Sequence, residues 1–312
     1  MRTALAVLSV AAVTASLGLP TASATTAGRN GSIICSSEAG PAAQLYTFRA
    51  NGGRLRQITN DPELGHGFAD WAPDGRRIVY EANHETDATI DVARPDGRLI
   101  REINLPGFST LPVFTPDGHH IIFERFLPPD DDGIWVMHDD GTGVRRLTRS
   151  PAGFGDTAPS VSPDGRVVAF VRTKSEGMQA LFTMRADGTR LRQVTPFSFD
   201  VAIKQDWSPD GKHIVITRDA NFTRPNTSAN VVTIRPDGSG LRNVTHFTGG
   251  DVSGFAGSYS PDGRWIVYRK EDHGAFSIVK VHPDGRGART ILDFPVRCRG
   301  IDWGPRARQG HG

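Results

Sequence analysis

Polar and charged side chains just upstream of several short predicted strands are the residues of this chain best suited to bind a ligand. Lys204, Arg297 and Arg299 are cations at such positions, and His66 and Asp156 occupy equivalent ones. Lysine and arginine hold carboxylates through charge-assisted hydrogen bonds, so these residues could form a cationic site for a carboxylate or an acidic peptide. The alternative is that they are solvated loop charges that compensate their neighbours.

Three aspartates, each directly before a tryptophan, could do different chemistry. Asp70, Asp206 and Asp302 share this position, and carboxylates held close together can bind a metal or act as general acid and base. However, a residue that recurs at one position of a repeated unit usually supports that unit. We therefore expect these carboxylates to accept hydrogen bonds from the backbone of turns or of a neighbouring unit.

Other chemical signatures are incomplete or missing from the sequence. The acidic run Asp130-Asp131-Asp132-Gly133 lacks the alternating ligand spacing and the distal glutamate of a calcium loop, which favours an exposed acidic turn. There is no His-x-x-x-His or Cys-x-x-Cys pair, no Gly-x-Ser-x-Gly elbow and no phosphate-binding glycine loop. The sequence thus predicts no catalytic residues, no metal and no cofactor.

Two recurring phrases place these residues on a repeated unit. The first is Pro-Asp-Gly, and its glycines lie 43, 47, 46 and 52 residues apart, at Gly75, Gly118, Gly165, Gly211 and Gly263. A β-rich run follows each copy, as in Arg77-Ile78-Val79-Tyr80. The second phrase alternates with the first and is a hairpin glycine followed by a basic strand, as at Gly188 and residues 191–195.

Both phrases reverse the chain, because proline presets φ, aspartate bonds the local backbone and glycine adopts positive φ. Two reversals in each period of about 45 residues give four antiparallel strands, which is typical of a propeller blade. Residues 31–59 supply only three strands, and residues 300–303 supply the fourth. The sequence therefore predicts an all-β, six-bladed β-propeller of four-stranded antiparallel blades, closed by the C-terminal strand joining the first blade. A β-sandwich with coincidental Asp-Gly turns is the alternative, but it does not need five near-identical copies.

At these residues the chain resembles the TolB-like propeller repeat, also called the PD40 or WD40-like repeat. The shared pattern is an aromatic residue, Ser-Pro-Asp-Gly, an Ile/Val-aromatic strand, an Asp-Gly hairpin and a Leu-Thr ending, and it covers residues 31–305. The resemblance implies a periplasmic or secreted propeller that binds peptides or protein partners. The same blades occur in front of prolyl-oligopeptidase-like catalytic domains and in some sugar-acid lyases.

The first residues have the features of a secretory signal peptide. Arg2 precedes the apolar run 4–19, and Ala22-Ser23-Ala24 is a cleavage signal. We expect the following order along the chain: a signal peptide at 1–24, a short linker at 25–30, the propeller at 31–305 and a disordered tail at 306–312. The mature protein is then secreted or periplasmic and soluble, with no integral membrane segment. A net charge of +2 without a Lys/Arg block argues against nucleic acid as a partner.

Cys35 and Cys298 lie near opposite ends of the mature chain. In an oxidising compartment, a disulfide between them would join the first and last strands of the ring. Counting along the strands puts Cys35 opposite Ile301, three residues from Cys298, so the bond requires a β-bulge. Two free thiols are the alternative.

Loops of varied length gather on one face of the predicted propeller, namely 59–67, 126–133, 148–157, 195–204, 218–229 and 245–254. Binding residues concentrate on loops held by a rigid scaffold, so we place any ligand over the central funnel. This favours a secreted, monomeric, non-catalytic binding module for a peptide, protein or cell-wall ligand. The alternatives are a propeller enzyme, such as a lyase or glycan hydrolase using funnel residues, and a structural protein of envelope complexes.

Overall fold

The computed structural model describes residues 27–37, 40–127, 132–174, 177–220 and 226–307. The predicted signal peptide lies outside these residues, as do Asp130 and Asp131 of the acidic turn and most of the predicted tail. Almost all regular structure is β-strand, with one 3-10 turn at Phe197–Phe199. None of the described residues forms a helix long and apolar enough to cross a membrane.

Four separate sheets have four antiparallel strands each. One sheet combines the two ends of the chain and consists of β1 (Asn30–Ser37), β2 (Gln44–Phe48), β3 (Arg56–Gln57) and β24 (Cys298–Pro305). The next consists of β12 (Phe154–Val161), β13 (Val167–Lys174), β14 (Gln179–Arg185) and β15 (Arg192–Gln193). The other two are β16 (Asp206–Trp207), β17 (Ile214–Arg218), β18 (Asn230–Ile234) and β19 (Arg242–Asn243), and then β20 (Val252–Tyr259), β21 (Ile266–Asp272), β22 (Ala275–Val281) and β23 (Arg289–Phe294).

The remaining strands form a single eight-stranded sheet. Its members are β4 (Gly65–Trp71), β5 (Ile78–Asn83), β6 (Ala88–Ala93), β7 (Leu99–Ile103), β8 (Phe108–Phe114), β9 (His120–Phe126), β10 (Gly133–His138) and β11 (Arg145–Arg146). The structure is thus an all-β propeller with four separate four-stranded blades, and the prediction of six is corrected. Two of the expected blades form one sheet because Ala88 of β6 pairs in parallel with Phe108 of β8, which follows β7 after the short connection 104–107.

The Pro-Asp-Gly phrase forms the turn that the sequence predicts. In the first copy the Gly75 N–H donates to the Ala72 carbonyl at 2.9 Å, and Gly75 has a φ of +64°. The Asp74 carboxylate accepts a hydrogen bond from the Arg76 N–H at 2.8 Å. These contacts fix a reversal between β4 and β5, because only glycine adopts this φ without strain.

The C-terminal strand β24 pairs with β1 and so joins the two ends of the chain in one blade. The register shifts between the pair Ile34–Asp302 and the pair Ser36–Arg299, so that two residues of β24 face the single residue Cys35. This bulge brings the Cα atoms of Cys35 and Cys298 to 5.7 Å, and the two cysteines form a disulfide.

The hydrophobic core lies between adjacent blades. Trp207 of β16, which is almost fully buried, packs with Ala169 of β13, Leu181 of β14 and Ile214 of β17. Similar clusters occur between the other neighbouring units. Each blade therefore depends on its neighbours for burial, as expected for a repeat fold.

The innermost strands carry bulges at equivalent positions. Phe68, Leu111, Ala158 and Gly300 have φ values between +44° and +55°, in the left-handed region that costs non-glycine residues energy. The pairings of β4, β8, β12 and β24 shift register at these places. All four residues line a narrow space at the centre of the molecule, so the bulges direct them toward it.

Candidate functional site

A cavity of about 320 Å³ lies beside the starts of the innermost strands, and we call it the funnel cavity. Its charged lining residues are Lys204, Arg269, Glu271, Arg297 and Arg299. Lys204 comes from the connection between β15 and β16, whereas β21 supplies Arg269 and Glu271. Apolar lining residues complete the walls, among them Phe68, Ile203, Phe255 and Ile301.

Glu271 is the one acidic residue in the lining of the funnel cavity that the structure describes, and two arginines share it. Glu271 Oε1 lies 3.0 Å from Arg269 Nε and 3.3 Å from Arg297 Nε. Arg269 also lies over the Phe255 ring, with its guanidinium carbon 4.3 Å from the ring centroid. Burial lowers the pKa of Arg269 to about 10, and the positive charges of Arg297 and Arg299 act in the same direction. The described lining therefore has four cations and one carboxylate, which leaves an excess of positive charge.

A narrow channel continues from the funnel cavity along the innermost strands. We call channel residues the set Asp70, Ser160, Lys204, Gln205, Asp206 and Asp302. The voids here measure only about 20 to 30 Å³, which is room for one water molecule. Lys204 lines both the channel and the funnel cavity, and its Nζ lies 3.9 Å from Asp302 Oδ1.

The three channel aspartates accept backbone hydrogen bonds from the neighbouring innermost strand, which confirms the expectation from the sequence. Asp302 accepts from the Trp71 N–H at 3.1 Å, and Asp70 accepts from the Phe114 N–H at 2.9 Å. Asp206 accepts from the Tyr259 N–H at 2.9 Å. These bonds tie successive units of the propeller together around the channel.

Burial and mutual repulsion make ionisation of Asp70 and Asp206 unfavourable. Burial raises the pKa of Asp206 to about 6, with a further upward contribution from the charge of Asp302, while Lys204 lowers it. The pKa of Asp70 is raised well above its usual range by burial and by Asp302, again with Lys204 opposing. Lys204 thus opposes both upward shifts, because its positive charge favours the ionised forms of Asp70 and Asp206.

The structure brings together three of the five residues that the sequence suggested. Lys204, Arg297 and Arg299 line the funnel cavity, whereas His66 and Asp156 are not among its lining residues. Asp156 is buried in a two-point ion pair with Arg172, with N–O distances of 2.6 and 2.8 Å.

His66 is also buried within its own sheet. Its ring makes an edge contact with Tyr80, with the centroids 5.4 Å apart, and burial lowers its pKa. Both residues lie within innermost strands, His66 in β4 and Asp156 in β12, rather than just upstream of them, and their side chains pack against the second strand of the sheet.

Sequence reasoning missed Arg269 and Glu271, which lie on a second strand rather than on a loop. The signal that could have revealed Arg269 is its repeat position, directly after Trp265-Ile266-Val267-Tyr268. The equivalent residues of two other units are the carboxylates Glu81 and Glu124. The equivalent residues of the remaining full copies are Val171 and Thr217, so Arg269 is the one cation at this position of the five copies and is not required by the repeat itself.

The described ranges contain no group of three His, Cys, Asp or Glu side chains arranged to hold one metal ion. In particular, the backbone hydrogen bonds of Asp70, Asp206 and Asp302 occupy one oxygen of each carboxylate. The acidic turn at 130–133 stays a prediction, because two of its aspartates lie outside the described residues.

Comparison with known proteins gives one family and several related folds. Residues 69–307 match the PD40 family, the TolB beta propeller domain. The "Tol-Pal system protein TolB" of Anaeromyxobacter dehalogenans is 32% identical over 109 residues, which is 35% of this chain and 25% of that protein. The chain thus spans about a quarter of the length of the curated TolB proteins it matches.

Solved structures show the same architecture at low sequence identity. TolB from Acinetobacter baumannii superposes with a TM-score of 0.68 at 20% identity, over 89% of this chain and 68% of that chain. An oligogalacturonate lyase in complex with manganese superposes with a TM-score of 0.57 at 10% identity, over 86% of this chain and 75% of that chain. Since the folds of a TolB protein and of a lyase both match, the architecture alone does not decide the function.

Proposed function

We propose, for a chain that belongs to the TolB β-propeller domain family, that it is a non-catalytic binding module whose funnel cavity holds an anionic group of a peptide or protein. The observation that carries this proposal is the excess of positive charge in the cavity, where Lys204, Arg269, Arg297 and Arg299 face one Glu271. Such a cavity attracts carboxylates and repels cations.

The apolar walls suit a ligand that has a hydrophobic group next to its charge. Phe68, Phe255 and Ile301 line the cavity beside the cations, and Ile203 is 38% exposed. The volume of about 320 Å³ is at the lower end of small-molecule sites, so it accommodates one or two residues of a peptide. The expected ligand is therefore an acidic peptide segment with an adjacent apolar side chain.

The propeller-enzyme alternative would use the buried carboxylates of the channel as acid and base. The raised pKa of Asp206, about 6, is the observation that favours it. Against it, one oxygen of Asp206 accepts hydrogen bonds from both Ser258 and the Tyr259 N–H, which fits a structural role. Turnover of a supplied glycan by the wild type, abolished in Asp206→Asn, would support the enzyme.

The proposal also includes the location of the protein, its oligomeric state and the bounds of the propeller. The first 24 residues direct export, and the mature chain is a soluble monomer outside the cytoplasmic membrane, with residues 31–305 forming the propeller. A disulfide between Cys35 and Cys298 is consistent with an oxidising compartment.

Calorimetric titration with two matched probes tests the binding function. N-acetyl-Phe-Glu has an aromatic ring and two carboxylates, and N-acetyl-Phe-Gln amide has the same shape without charge. We expect the acidic probe to bind, and the double variant Arg297→Glu/Arg299→Glu to bind it at least about tenfold more weakly, as loss of charge-assisted hydrogen bonds requires.

A second double variant controls for net charge. Arg56→Glu/Arg242→Glu makes the same change at exposed positions on the outer strands β3 and β19, away from the funnel cavity. This variant should bind the acidic probe like the wild type. Equal binding of both probes, or an equal loss of affinity in both variants, would contradict the proposed site.

A further inference from the structure

Lys204 belongs to two environments at once. It lines the funnel cavity together with Arg297 and Arg299, and it lines the channel together with Asp70, Asp206 and Asp302. Its side chain is 21% exposed, whereas that of Asp302 is 10% exposed. The 3.9 Å from Nζ to Asp302 Oδ1 is an ionic contact but is longer than a hydrogen bond, so the ammonium is not fixed in the channel.

Nothing else in the described channel offers a compensating positive charge. Lys204 is the only cation among the residues that line its two voids. The unpartnered polar atoms of the described lining, among them Gln205 Oε1, Ser160 Oγ and Trp303 Nε1, are neutral and supply no positive charge. The negative charge of the channel therefore depends on Lys204.

The groups that face Lys204 come from several elements. β4 contributes Asp70, β16 contributes Asp206 and β24 contributes Asp302 and Arg299. On the side of the funnel cavity, β21 contributes Arg269 and Glu271, and Arg297 precedes β24. Lys204 thus stands between three carboxylates on one side and a cluster with net positive charge on the other.

We propose that Lys204 couples the binding of an anion in the funnel cavity to proton uptake by the channel aspartates. This inference rests on the proposed function. An anion in the cavity draws the ammonium group out of the channel, because the lysine stem has four flexible carbons. One channel carboxylate then takes a proton from solvent, which restores the charge that the channel has lost.

The linkage has a definite sign. Above pH 6 the anion must draw Lys204 away from an ionised Asp206, whereas below pH 6 Asp206 is protonated and the ammonium group leaves the channel at a smaller cost in free energy. Affinity for an anion therefore rises as the pH falls. If binding raises the pKa of one carboxylate by about one unit, the affinity changes about tenfold between pH 8 and pH 5.5. Probe carboxylates remain ionised over this range.

Calorimetry with N-acetyl-Phe-Glu in buffers of different ionisation enthalpy measures the proton uptake directly. We expect the wild type to take up a fraction of a proton per bound probe at pH 7, and its Kd to fall about tenfold from pH 8 to pH 5.5. Lys204→Gln should bind more weakly with no pH dependence. Arg297→Gln, which weakens the site without touching the channel, should keep the proton uptake.

Equal pH dependence in the wild type and Lys204→Gln, or binding without proton uptake, would overturn the coupling while leaving the binding function intact. Absence of binding at every pH would instead refute the proposed function. A ligand-free measurement keeps the inference testable in that case. By NMR titration, the pKa of Asp206 must be higher in Lys204→Gln than in the wild type, and an unchanged pKa would overturn the role of Lys204.

Discussion

Asp302 shows at the level of a single side chain why the repeat contains an acidic residue before its tryptophan. Its Oδ2 accepts the Trp71 N–H from the neighbouring strand β4, at a buried position where the chain ends meet. A buried N–H without an acceptor costs about 1–3 kcal/mol. The carboxylate thus stabilises the junction between β24 and β4, independently of any ligand.

Replacing Asp302 by alanine should therefore lower the free energy of unfolding by about 1–3 kcal/mol, because the Trp71 N–H loses its acceptor. Urea denaturation followed by tryptophan fluorescence measures this change. Asp302→Asn is the matched variant, since its amide oxygen can still accept the bond, and it should cost less. Equal destabilisation by both substitutions would show that the charge matters rather than the hydrogen bond.

The buried carboxylate of Asp206 predicts a specific pH dependence of stability. Burial raises its pKa from 3.8 to about 6, so the folded protein binds this proton more tightly than the unfolded chain. The resulting stabilisation is complete below pH 3.8 and is lost as the pH rises through 6. Asp206→Asn cannot ionise and avoids this loss.

Unfolding free energies measured from pH 4 to pH 7 should show the Asp206→Asn variant gaining stability relative to the wild type as the pH rises. Asp70 remains in both proteins, and its raised pKa is somewhat lower in the variant, because the charge of Asp206 contributes to raising it. Parallel curves for the two proteins would mean that Asp206 ionises normally.

At the level of strands, the β-bulge in β24 decides whether the ring can be linked covalently. Two residues of β24 face Cys35, so Cys298 comes within reach, with a Cα separation of 5.7 Å. The linked residues are 263 positions apart. Closing a loop of that length lowers the conformational entropy of the unfolded chain, which raises its free energy by roughly 5 kcal/mol in the loop-entropy account.

The double variant Cys35→Ala/Cys298→Ala should accordingly lose roughly 3–5 kcal/mol of unfolding free energy relative to the oxidised wild type. Chemical denaturation with and without a reductant measures the effect. The reductant should destabilise the wild type toward the variant and leave the variant unchanged. A wild type insensitive to full reduction would refute the stabilising role of the disulfide.

Gly97 illustrates how the hairpins of one unit pack on the next. It has a φ of +90°, and a Cβ added there would overlap the carbonyl oxygen of Ile58. Gly177 has a similar φ of +82°, but a Cβ there would meet nothing within 4 Å. The two glycines share the backbone conformation and differ only in the neighbour.

Gly97→Ala should lower the melting temperature more than Gly177→Ala does. Both substitutions carry the left-handed strain of about 1–2 kcal/mol, and only the first adds a collision with backbone. Differential scanning calorimetry of the two single variants separates these contributions. Equal melting temperatures would indicate that the packing of the hairpin on β3 adapts without cost.

For the whole molecule, local turn chemistry made the propeller readable from the sequence. Pro-Asp-Gly fixes each reversal through contacts within five residues, as at Gly75, so strand positions follow from it. The joining of β6 to β8 depends on one pair, Ala88 with Phe108, which no local signal encodes. For that reason the number of separate blades differed from the prediction while the blade type agreed.

The funnel cavity was predictable only in part for a similar reason. Lys204, Arg297 and Arg299 follow from their places before innermost strands, whereas Asp156 at an equivalent place turns to its cross-strand partner Arg172. The direction of a side chain at the start of an innermost strand depends on the β-bulge in that strand and on the residue paired with it on the adjacent strand. The sequence of one repeat predicts neither of these. Arg269 lies on β21 and lines the cavity, and its direction is likewise set by the packing of the folded chain.

A crystal soaked with N-acetyl-Phe-Glu shows whether the funnel cavity binds an anionic group. We expect difference density in the cavity, with a probe carboxylate within hydrogen-bond distance of Arg297, Arg299 or Lys204, and the phenyl ring against Phe68 or Phe255. Density for the probe at another surface, with the funnel cavity holding only solvent, would contradict it.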